Sequence, residues 1–287
     1  MDAKYIAPLT VGGILIFTAL LLGSDLAIFI NPAGLLLVVG GTVAGALIAF
    51  PWQTIRDLWQ EIKAMGRRRV MSCEELQHIF VQLARLQRTE GVRTLEAAAQ
   101  KTGNAFLQMG LALVVDDRPR EEIRERLEQE FEFFLSRRES QRGVLSLMGR
   151  LAPAFGLAGT MIGLIRMLHT IKDPAAVTEG MSVALLTTFY GIMLANLLIL
   201  PLERKLNELT RAEAVEMTLI TEGLMGLEAE ENGAAIFARL SSYHWALPAA
   251  PRRPAPAASK LAQQFGRALK GLWLLLPSFS RSGGHER

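Results

Sequence analysis

Residues 149–164 read GRLAPAFGLAGTMIGL, an apolar stretch interrupted by one arginine and one proline. The stretch lies within the apolar run from Val144 to Leu168, which exceeds the roughly 20 residues that a helix needs to cross a bilayer. Gly159 and Gly163 have the spacing that lets two membrane helices approach closely. These residues therefore predict a membrane-spanning helix that packs against another helix.

Three further apolar runs occur along the chain: Ile6 to Gly23, Pro32 to Phe50 and Met181 to Pro201. Half of the 287 residues are hydrophobic, and the mean hydropathy of +0.25 is higher than in an ordinary soluble domain. The sequence shows no strand-like alternation, so it predicts an all-α, polytopic membrane protein with four transmembrane helices. A cytoplasmic helical domain is expected from the loop after span two and the extensions of spans three and four.

The positive charges beside the spans predict the orientation of the chain. The connection Ser24 to Asn31 contains no Lys or Arg, whereas Arg67 to Arg69 follow the second span. Arg204 and Lys205 likewise follow the fourth span. We therefore expect both termini and the charged segment after span two to lie in the cytoplasm, with the spans in a bacterial inner membrane.

Composition changes and helix signals divide the chain into five predicted segments. Ser72 and Glu75 have the spacing of a capping box, and the helix that starts near Pro119 runs without a breaker into span three. The segments are a transmembrane hairpin (1–50), a cytoplasmic helical domain (51–143), spans three and four (144–202), a cytoplasmic helical extension (203–246) and a Pro/Ala-rich linker with an amphipathic tail (247–287).

Composition argues against several classes of function. The formal net charge of +3 is small, and no basic stripe with interleaved aromatic residues occurs, so nucleic acid is not an expected partner. Cys73 is the only cysteine and the four histidines lack ligand spacing, so we expect neither a resident metal nor a cofactor. The sequence contains no constellation of nucleophile and base, and an enzyme is not expected.

Polar residues in spans three and four suggest an ion path. Thr160 and Thr188 lie at matching depths, each roughly 11–12 Å from the outer end of its helix. Pro153 lacks an N–H, which frees the carbonyl oxygen of Gly149. Such oxygens suit a dehydrated monovalent cation or a water-filled proton path. Alternatively, each threonine bonds back to its own helix and Pro153 only kinks the span, and the residues alone leave both interpretations open.

The four predicted spans contain no central Asp or Glu. An ion-coupled membrane machine ordinarily needs such a chargeable group inside the membrane. If the threonines line an ion path, the carboxylate must therefore come from a partner protein.

Four short strings carry a family resemblance. They are Val39-Gly40-Gly41-Thr42 in span two, Ala152-Pro153-Ala154-Phe155-Gly156 with Gly159-Thr160 in span three, Asp173-Pro174 outside, and Ala184-Leu185-Leu186-Thr187-Thr188 through Asn196 to Pro201-Leu202 in span four. Over roughly Met1 to Met225 the chain resembles the A subunit of the bacterial flagellar stator, the MotA/PomA family. The resemblance implies a ring of five A subunits around a dimer of B subunits, whose transmembrane Asp supplies the missing carboxylate. Ions crossing between A and B would turn the ring against the rotor protein FliG.

The resemblance also implies roles for individual residues. Thr160, Thr187 and Thr188 match threonines that line the ion path of sodium-driven members, which favours transported Na+, held transiently near Thr160 and Thr188, over H+. Pro153 and Pro201 match the functional prolines of the family, which are expected to couple ion passage to a conformational change.

A charged stretch in the cytoplasmic segment resembles the surface of the family that faces the rotor. It reads RTEGVRTLE over residues 88–96, with Arg88 and Glu96 at the matching charged positions. Exposed opposite charges can steer and register a charged partner helix without tight binding. Without the resemblance, the same residues would indicate an ordinary solvated surface.

Two alternative functions remain open from the sequence. One is an energiser of the ExbB/TolQ kind, which drives a periplasmic partner, and the other is a membrane scaffold that conducts no ions.

Two features depart from the stator pattern: Arg150 stands where some sodium-driven relatives have an acidic residue, and the extension after Pro248 lies outside the common pattern.

Overall fold

All regular secondary structure in the described part of the chain is helical. The computed structural model describes residues 29–66, 68–99 and 103–243, and within them the predicted all-α fold is confirmed. The helices are α1 (Pro32–Ala49), α2 (Trp52–Ala64), α3 (Cys73–Glu90), α4 (Arg93–Ala99), α5 (Ala105–Val115), α6 (Arg120–His169), α7 (Pro174–Met193), α8 (Leu200–Glu228) and α9 (Gly233–Ser241). A π-helix, Leu194–Ile199, joins α7 to α8 without a break, and α1 contains a second π-helical turn, Leu36–Gly40.

Three helical segments among the described residues are long and apolar enough to cross a membrane, judged by length and composition. They are Pro32–Ala49, Arg120–His169 and Val177–Glu228, with mean hydropathies of 2.0, 1.6 and 2.1 in their most apolar windows. The predicted second, third and fourth spans fall on these helices. The predicted first span, Ile6 to Gly23, and the tail from 247 onward lie outside the described residues, so the count of four spans stays a prediction.

Local signals position the helix starts where the sequence predicts them. The Ser72 hydroxyl accepts a hydrogen bond from the Glu75 N–H, and a Glu75 carboxylate oxygen accepts one from the Ser72 N–H, both at 3.2 Å. This confirms the capping box at the start of α3. The predicted helix after Pro119 is also confirmed, because α6 continues for 50 residues through Pro153.

The described residues divide into two compact units. The first unit comprises residues through Arg69 together with Gln129–Ala214, and the second comprises Val70–Glu128 together with the chain from Val215 onward. The predicted segment 51–143 is therefore shared between the units. The five predicted segments refer to sides of the membrane, and they stay a prediction.

The first unit has a core to which four helices contribute apolar side chains. Ala46 of α1, Leu58 of α2, Val144 of α6 and Leu206 of α8 are all buried in it, and Ile62 packs against its edge. Burial of these side chains removes apolar surface from water, which stabilises the fold by about 25 cal/mol for each Å² buried. The core therefore holds α2, the helix that follows the second predicted span, against α6 and α8.

The second unit has a core of its own. Phe80 of α3 is fully buried, and its ring occupies the space that a side chain at Gly223 of α8 would need. Gly110 of α5 makes room for Leu224 in the same way. These two close approaches join α3, α5 and the last turns of α8 into one helical bundle.

Candidate functional site

Glycines bring α6 and α7 into backbone contact. A Cβ atom at Gly156 would lie 2.9 Å from the carbonyl oxygen of Thr187, and one at Gly163 would lie 2.6 Å from that of Gly180. On the other helix, a Cβ atom at Gly191 would lie 2.5 Å from the carbonyl oxygen of Ala152. Since these neighbours are backbone atoms that cannot rotate away, the predicted close packing of spans three and four depends on glycine.

The three threonines of the candidate ion path lie near this contact. Thr188 packs opposite Gly156, with 3.2 Å between its Cα and the Cβ position of Gly156. Thr160 is four residues along α6 from Gly156, which corresponds to about 6 Å, or one turn. Thr160 and Thr188 therefore lie within about one turn of each other along the helix pair, and their depth in the membrane stays a prediction. Thr187 is buried between the helices, whereas Thr160 and Thr188 are partly exposed.

Each threonine hydroxyl donates a hydrogen bond to its own helix. The distances are 2.6 Å from Thr160 to the Leu157 oxygen, 2.9 Å from Thr187 to the Val183 oxygen and 3.4 Å from Thr188 to the Ala184 oxygen. This is the bonding of the second interpretation considered above. A hydroxyl that donates its proton still has lone pairs, so each oxygen remains able to accept a hydrogen bond or to bind a cation.

Gly149 lies beside the start of α8. It is buried, and a Cβ atom there would lie 3.2 Å from the Cδ2 atom of Leu200. Span three alone does not predict this packing. That the carbonyl oxygen of Gly149 belongs to the ion path stays a prediction.

Pro201 follows directly on an irregularity in the last membrane helix. The π-helix Leu194–Ile199 ends two residues before it, and the Asn196 side chain donates to the Ile192 oxygen at 3.0 Å. Because Pro201 has no N–H, the preceding turn lacks one backbone hydrogen bond. Helices bend most readily at such points. A point of easy bending at this place is in keeping with the conformational role that the family resemblance implies for Pro201.

The structure brings a residue without a predicted role, Tyr190, to the threonines. Its hydroxyl accepts a hydrogen bond from the Asn31 N–H at 2.8 Å and donates one to the Phe29 oxygen at 2.5 Å. Gly34 of the same turn packs on Thr187, with 2.9 Å between its Cβ position and the Thr187 Cγ2 atom. A phenol inside an apolar run is a sequence signal for a polar contact, but the sequence does not identify its partners.

A buried charged network in the first unit also escaped the sequence analysis. The side chain of Arg138 is 1% exposed and lies 2.9 Å from Glu61 and 2.7 Å from Glu213. Arg68 contacts the same two carboxylates, at 2.5 Å and 3.0 Å. Two arginines and two glutamates thus neutralise one another where α2, α6 and α8 meet. In sequence these residues belong to segments rich in charge, which normally indicate a solvated surface.

We expect this network to make the stability of the first unit depend on pH. Burial raises the pKa of the Glu61 carboxyl, but Arg138 and Arg68 outweigh this effect and hold the pKa below its ordinary value. A depressed pKa means that the carboxylate stabilises the fold fully above its ordinary pKa and loses this effect as the pH falls below that value, through the lower pKa of the folded state. Thermal unfolding of the protein in detergent should show a midpoint to which Glu61 contributes fully down to about pH 5 and progressively less as the pH is lowered further. Glu61→Gln should flatten this slope, and an unchanged slope in that variant would contradict the assignment.

The candidate rotor residues lie in the second unit. Arg88, near the end of α3, donates from its guanidinium to the Glu230 carbonyl oxygen at 3.1 Å and remains exposed. Arg120 and Glu228 form an ion pair at 3.1 Å, so further charges lie at the end of α8. Glu96 belongs to α4, but its side chain lies outside the described part of the structure.

Metal binding by clustered side chains is not indicated in residues 29–66, 68–99 and 103–243, where no group of three or more His, Cys, Asp or Glu side chains comes together. A cation passing along the surface of the α6–α7 pair could meet the hydroxyl oxygens of the partly exposed Thr160 and Thr188 there.

Comparison with known proteins agrees with this architecture. Residues 98–218 match the model of the MotA/TolQ/ExbB proton channel family. "Chemotaxis protein PomA" of Vibrio alginolyticus is 30% identical over 246 residues, which cover 85% of this chain and 95% of that protein.

Two solved structures share the fold. "Structure of the flagellar MotAB stator complex from Bacillus subtilis" matches with a TM-score of 0.72 and 28% identity, covering 88% of this chain and 98% of that one. "Structure of C. jejuni MotAB" matches in fold with a TM-score of 0.78 at 24% identity, covering 89% of this chain and all of that one. The chain belongs to the MotA/TolQ/ExbB proton channel family, among the MotA- and PomA-type proteins.

Proposed function

We propose that this chain is the ion-conducting A subunit of a flagellar motor stator, which converts cation flow across the inner membrane into torque on the rotor. The observation that carries the proposal is the close-packed α6–α7 pair, in which Thr160, Thr187 and Thr188 lie within about one turn of each other. The 30% sequence identity to PomA, over 95% of that protein, supports this proposal.

A B-type partner completes the ion path in this proposal. Pro32–Phe50, Val144–Leu168 and Met181–Pro201 contain no Asp or Glu, so the titrating carboxylate comes from that partner. The relative from Bacillus subtilis is part of a MotAB complex, which supports such a pairing. Leu157, Met161 and Leu185 are 60%, 64% and 69% exposed in the single chain, as expected of surfaces that lipid, the partner or neighbouring copies cover.

The assembly and its orientation follow from the same proposal. Five copies surround two B subunits, with four spans in each copy and both termini in the cytoplasm. The Lys and Arg residues after the second and fourth spans support this orientation. FliG is the rotor partner, and Arg88 and Glu96 contact it. The exposed guanidinium of Arg88 supports that role, since its bond to the uncharged carbonyl oxygen of Glu230 does not neutralise its positive charge.

Sodium is the coupling ion that the threonines favour. We expect Thr160→Ala to raise the sodium concentration needed for half-maximal swimming speed by on the order of tenfold, because removing one ligand oxygen costs about 1–1.5 kcal/mol. The measurement is swimming speed against sodium in cells whose only stator is this chain with its B partner. A sodium-channel blocker should slow the parent strain.

Thr178→Ala is the matched control for this experiment. Thr178 also bonds back to its own helix, at 3.0 Å to the Pro174 oxygen, but it is exposed near the start of α7. Its loss should leave the sodium curve unchanged. Rotation that ignores sodium but stops with a protonophore would make H+ the coupling ion. Failure of the unmodified chain to drive rotation with either cation would reject the stator function and favour an energiser or a scaffold.

A further inference from the structure

The hydroxyl of Tyr190 joins the start of α1 to the middle of the last membrane helix. It donates to the Phe29 carbonyl oxygen and accepts from the Asn31 N–H, so one oxygen satisfies two backbone groups. The rings of Phe29 and Phe189 pack beside this contact, with centroids 6.1 Å apart. The phenol thus holds a short piece of backbone against α7.

This piece of backbone, which the sequence places at the outer end of the second span, lies beside the middle of the fourth predicted span. Tyr190 is nine residues beyond Met181, where the apolar run of span four begins, which corresponds to about 14 Å along the helix. Ile30 and Asn31, which precede α1, are not helical. Non-helical backbone at such depth is tolerated only where protein covers it or where it lines a water-filled cavity. Loss of the hydrogen bonds to Tyr190 would therefore leave backbone groups unsatisfied and destabilise this part of the fold.

The same turn is held close to Thr187. The Asn31 side chain accepts a hydrogen bond from the Gly34 N–H at 2.9 Å, which caps α1. Gly34 then faces Thr187, with 2.9 Å between the Cβ position of Gly34 and the Thr187 Cγ2 atom. Movement of the turn would remove this contact with the methyl group of Thr187, a residue that is fully buried in the single chain.

We propose that Tyr190 is a positioning residue for the ion path: its hydroxyl fixes the Asn31–Gly34 turn over Thr187 and so sets how the threonines meet the passing cation. This inference rests on the proposed stator function. Tyr190 acts through the turn, so its loss changes the cation dependence of rotation and leaves the amount of assembled protein in the membrane unaltered.

Tyr190→Phe tests the inference because it removes one oxygen and keeps the ring. In cells with this chain and its B partner as the only stator, we expect the cation concentration for half-maximal speed to shift threefold or more. A shift of this size corresponds to the loss of about one hydrogen bond. Sodium is varied first, and then pH at fixed sodium. Tyr243→Phe is the matched control, since it removes one phenol oxygen in the second unit and should leave the curve in place.

Gly34→Ala supplies a second and independent test. Its new methyl group would lie 2.9 Å from the Thr187 Cγ2 atom and 3.4 Å from the Asn31 Oδ1 atom, so it presses the same turn away from Thr187 and leaves the Tyr190 side chain unaltered. Both single variants should shift the curve in the same direction, and the double variant should shift it by less than the product of the two. A Tyr190→Phe curve that overlays the parent curve, or shifts that multiply as for independent sites, overturns the inference. Loss of Tyr190→Phe protein from the membrane overturns it as well, by showing a purely structural role.

The two proposals fail in different ways in this experiment. If the parent chain drives rotation and Tyr190→Phe behaves like it, only the positioning role is wrong. If the parent chain drives no rotation with sodium or protons, the stator function itself is wrong.

Discussion

Arg138→Gln is expected to lower the free energy of unfolding of the first unit by about 3 kcal/mol, because it removes the buried counter-charge of two carboxylates and leaves them to the more exposed Arg68. Glu61 and Glu213 lie within 3 Å of this guanidinium, whose side chain is 1% exposed. The effect is measured as the midpoint of thermal unfolding of the purified protein in detergent. Swimming should be lost at the same time, since less folded protein reaches the membrane.

Arg137→Gln is the matched control for this variant. Arg137 is the adjacent residue on α6, but its side chain is exposed, so we expect a change within about 0.5 kcal/mol. Arg138→Lys should fall between the two, because an ammonium keeps the charge but cannot reach both carboxylates with a planar fork. Equal stability of Arg138→Gln and Arg137→Gln would contradict the role assigned to the network.

Gly191→Ala is expected to abolish swimming and the cation flux that drives it. The added methyl group would lie 2.5 Å from the Ala152 carbonyl oxygen and 3.1 Å from the Pro153 Cα atom. Both are backbone atoms, so α6 and α7 must move apart by several tenths of an ångström, and overpacking of this kind costs about 1–3 kcal/mol. The measurement is the swimming speed of cells together with sodium uptake by liposomes containing this chain and its partner.

Gly40→Ala is the control for the glycine experiment. Its Cβ atom would meet only the Leu36 Cδ1 atom, at the ordinary contact distance of 3.8 Å. Both substitutions replace glycine by alanine within a helix, so their difference reports packing and not helix propensity. Unimpaired swimming with Gly191→Ala would show that the two helices do not need their close approach.

Features that depend on neighbours a few residues apart could be predicted from the sequence. The capping box of Ser72 and Glu75 acts over three residues, and it is present in α3 as predicted. The run from Pro119 into span three contains no strong breaker other than Pro153, and α6 is continuous. The apolar runs predicted the described membrane-length helices because span length follows directly from bilayer thickness.

Features that depend on distant residues could not be predicted in the same way. Arg138 and Glu213 are 75 residues apart, and nothing within either segment distinguishes them from solvated charges. The carbonyl oxygen of Gly149 was expected to be free from the sequence of its own helix, which does not reveal that Leu200 packs beside Gly149. The hydrogen bond that Pro153 cannot make is a local effect, whereas the burial of Gly149 depends on how other helices pack against it.

The threonines of the candidate site show both situations. The similar levels of Thr160 and Thr188 along the helix pair were predicted to within about one turn from the helix rise alone. Which atom each hydroxyl bonds depends on a side-chain rotation that no sequence pattern specifies, and Thr187 bonds two carbonyl oxygens, of Val183 and Ala184. The contact of Tyr190 with Asn31 likewise joins residues far apart in the chain.

The π-helix Leu194–Ile199 changes the phase of everything that follows it. One surplus residue in that turn displaces the later side chains by about 100° round the axis from where an unbroken α-helix would place them. A single helical wheel drawn through α7 and α8 would therefore assign the wrong face to Leu206 and Glu213. Deleting one residue inside the turn would rotate α8 as a whole, so that the partner of Arg138 would point elsewhere while the composition of the helix stayed almost the same.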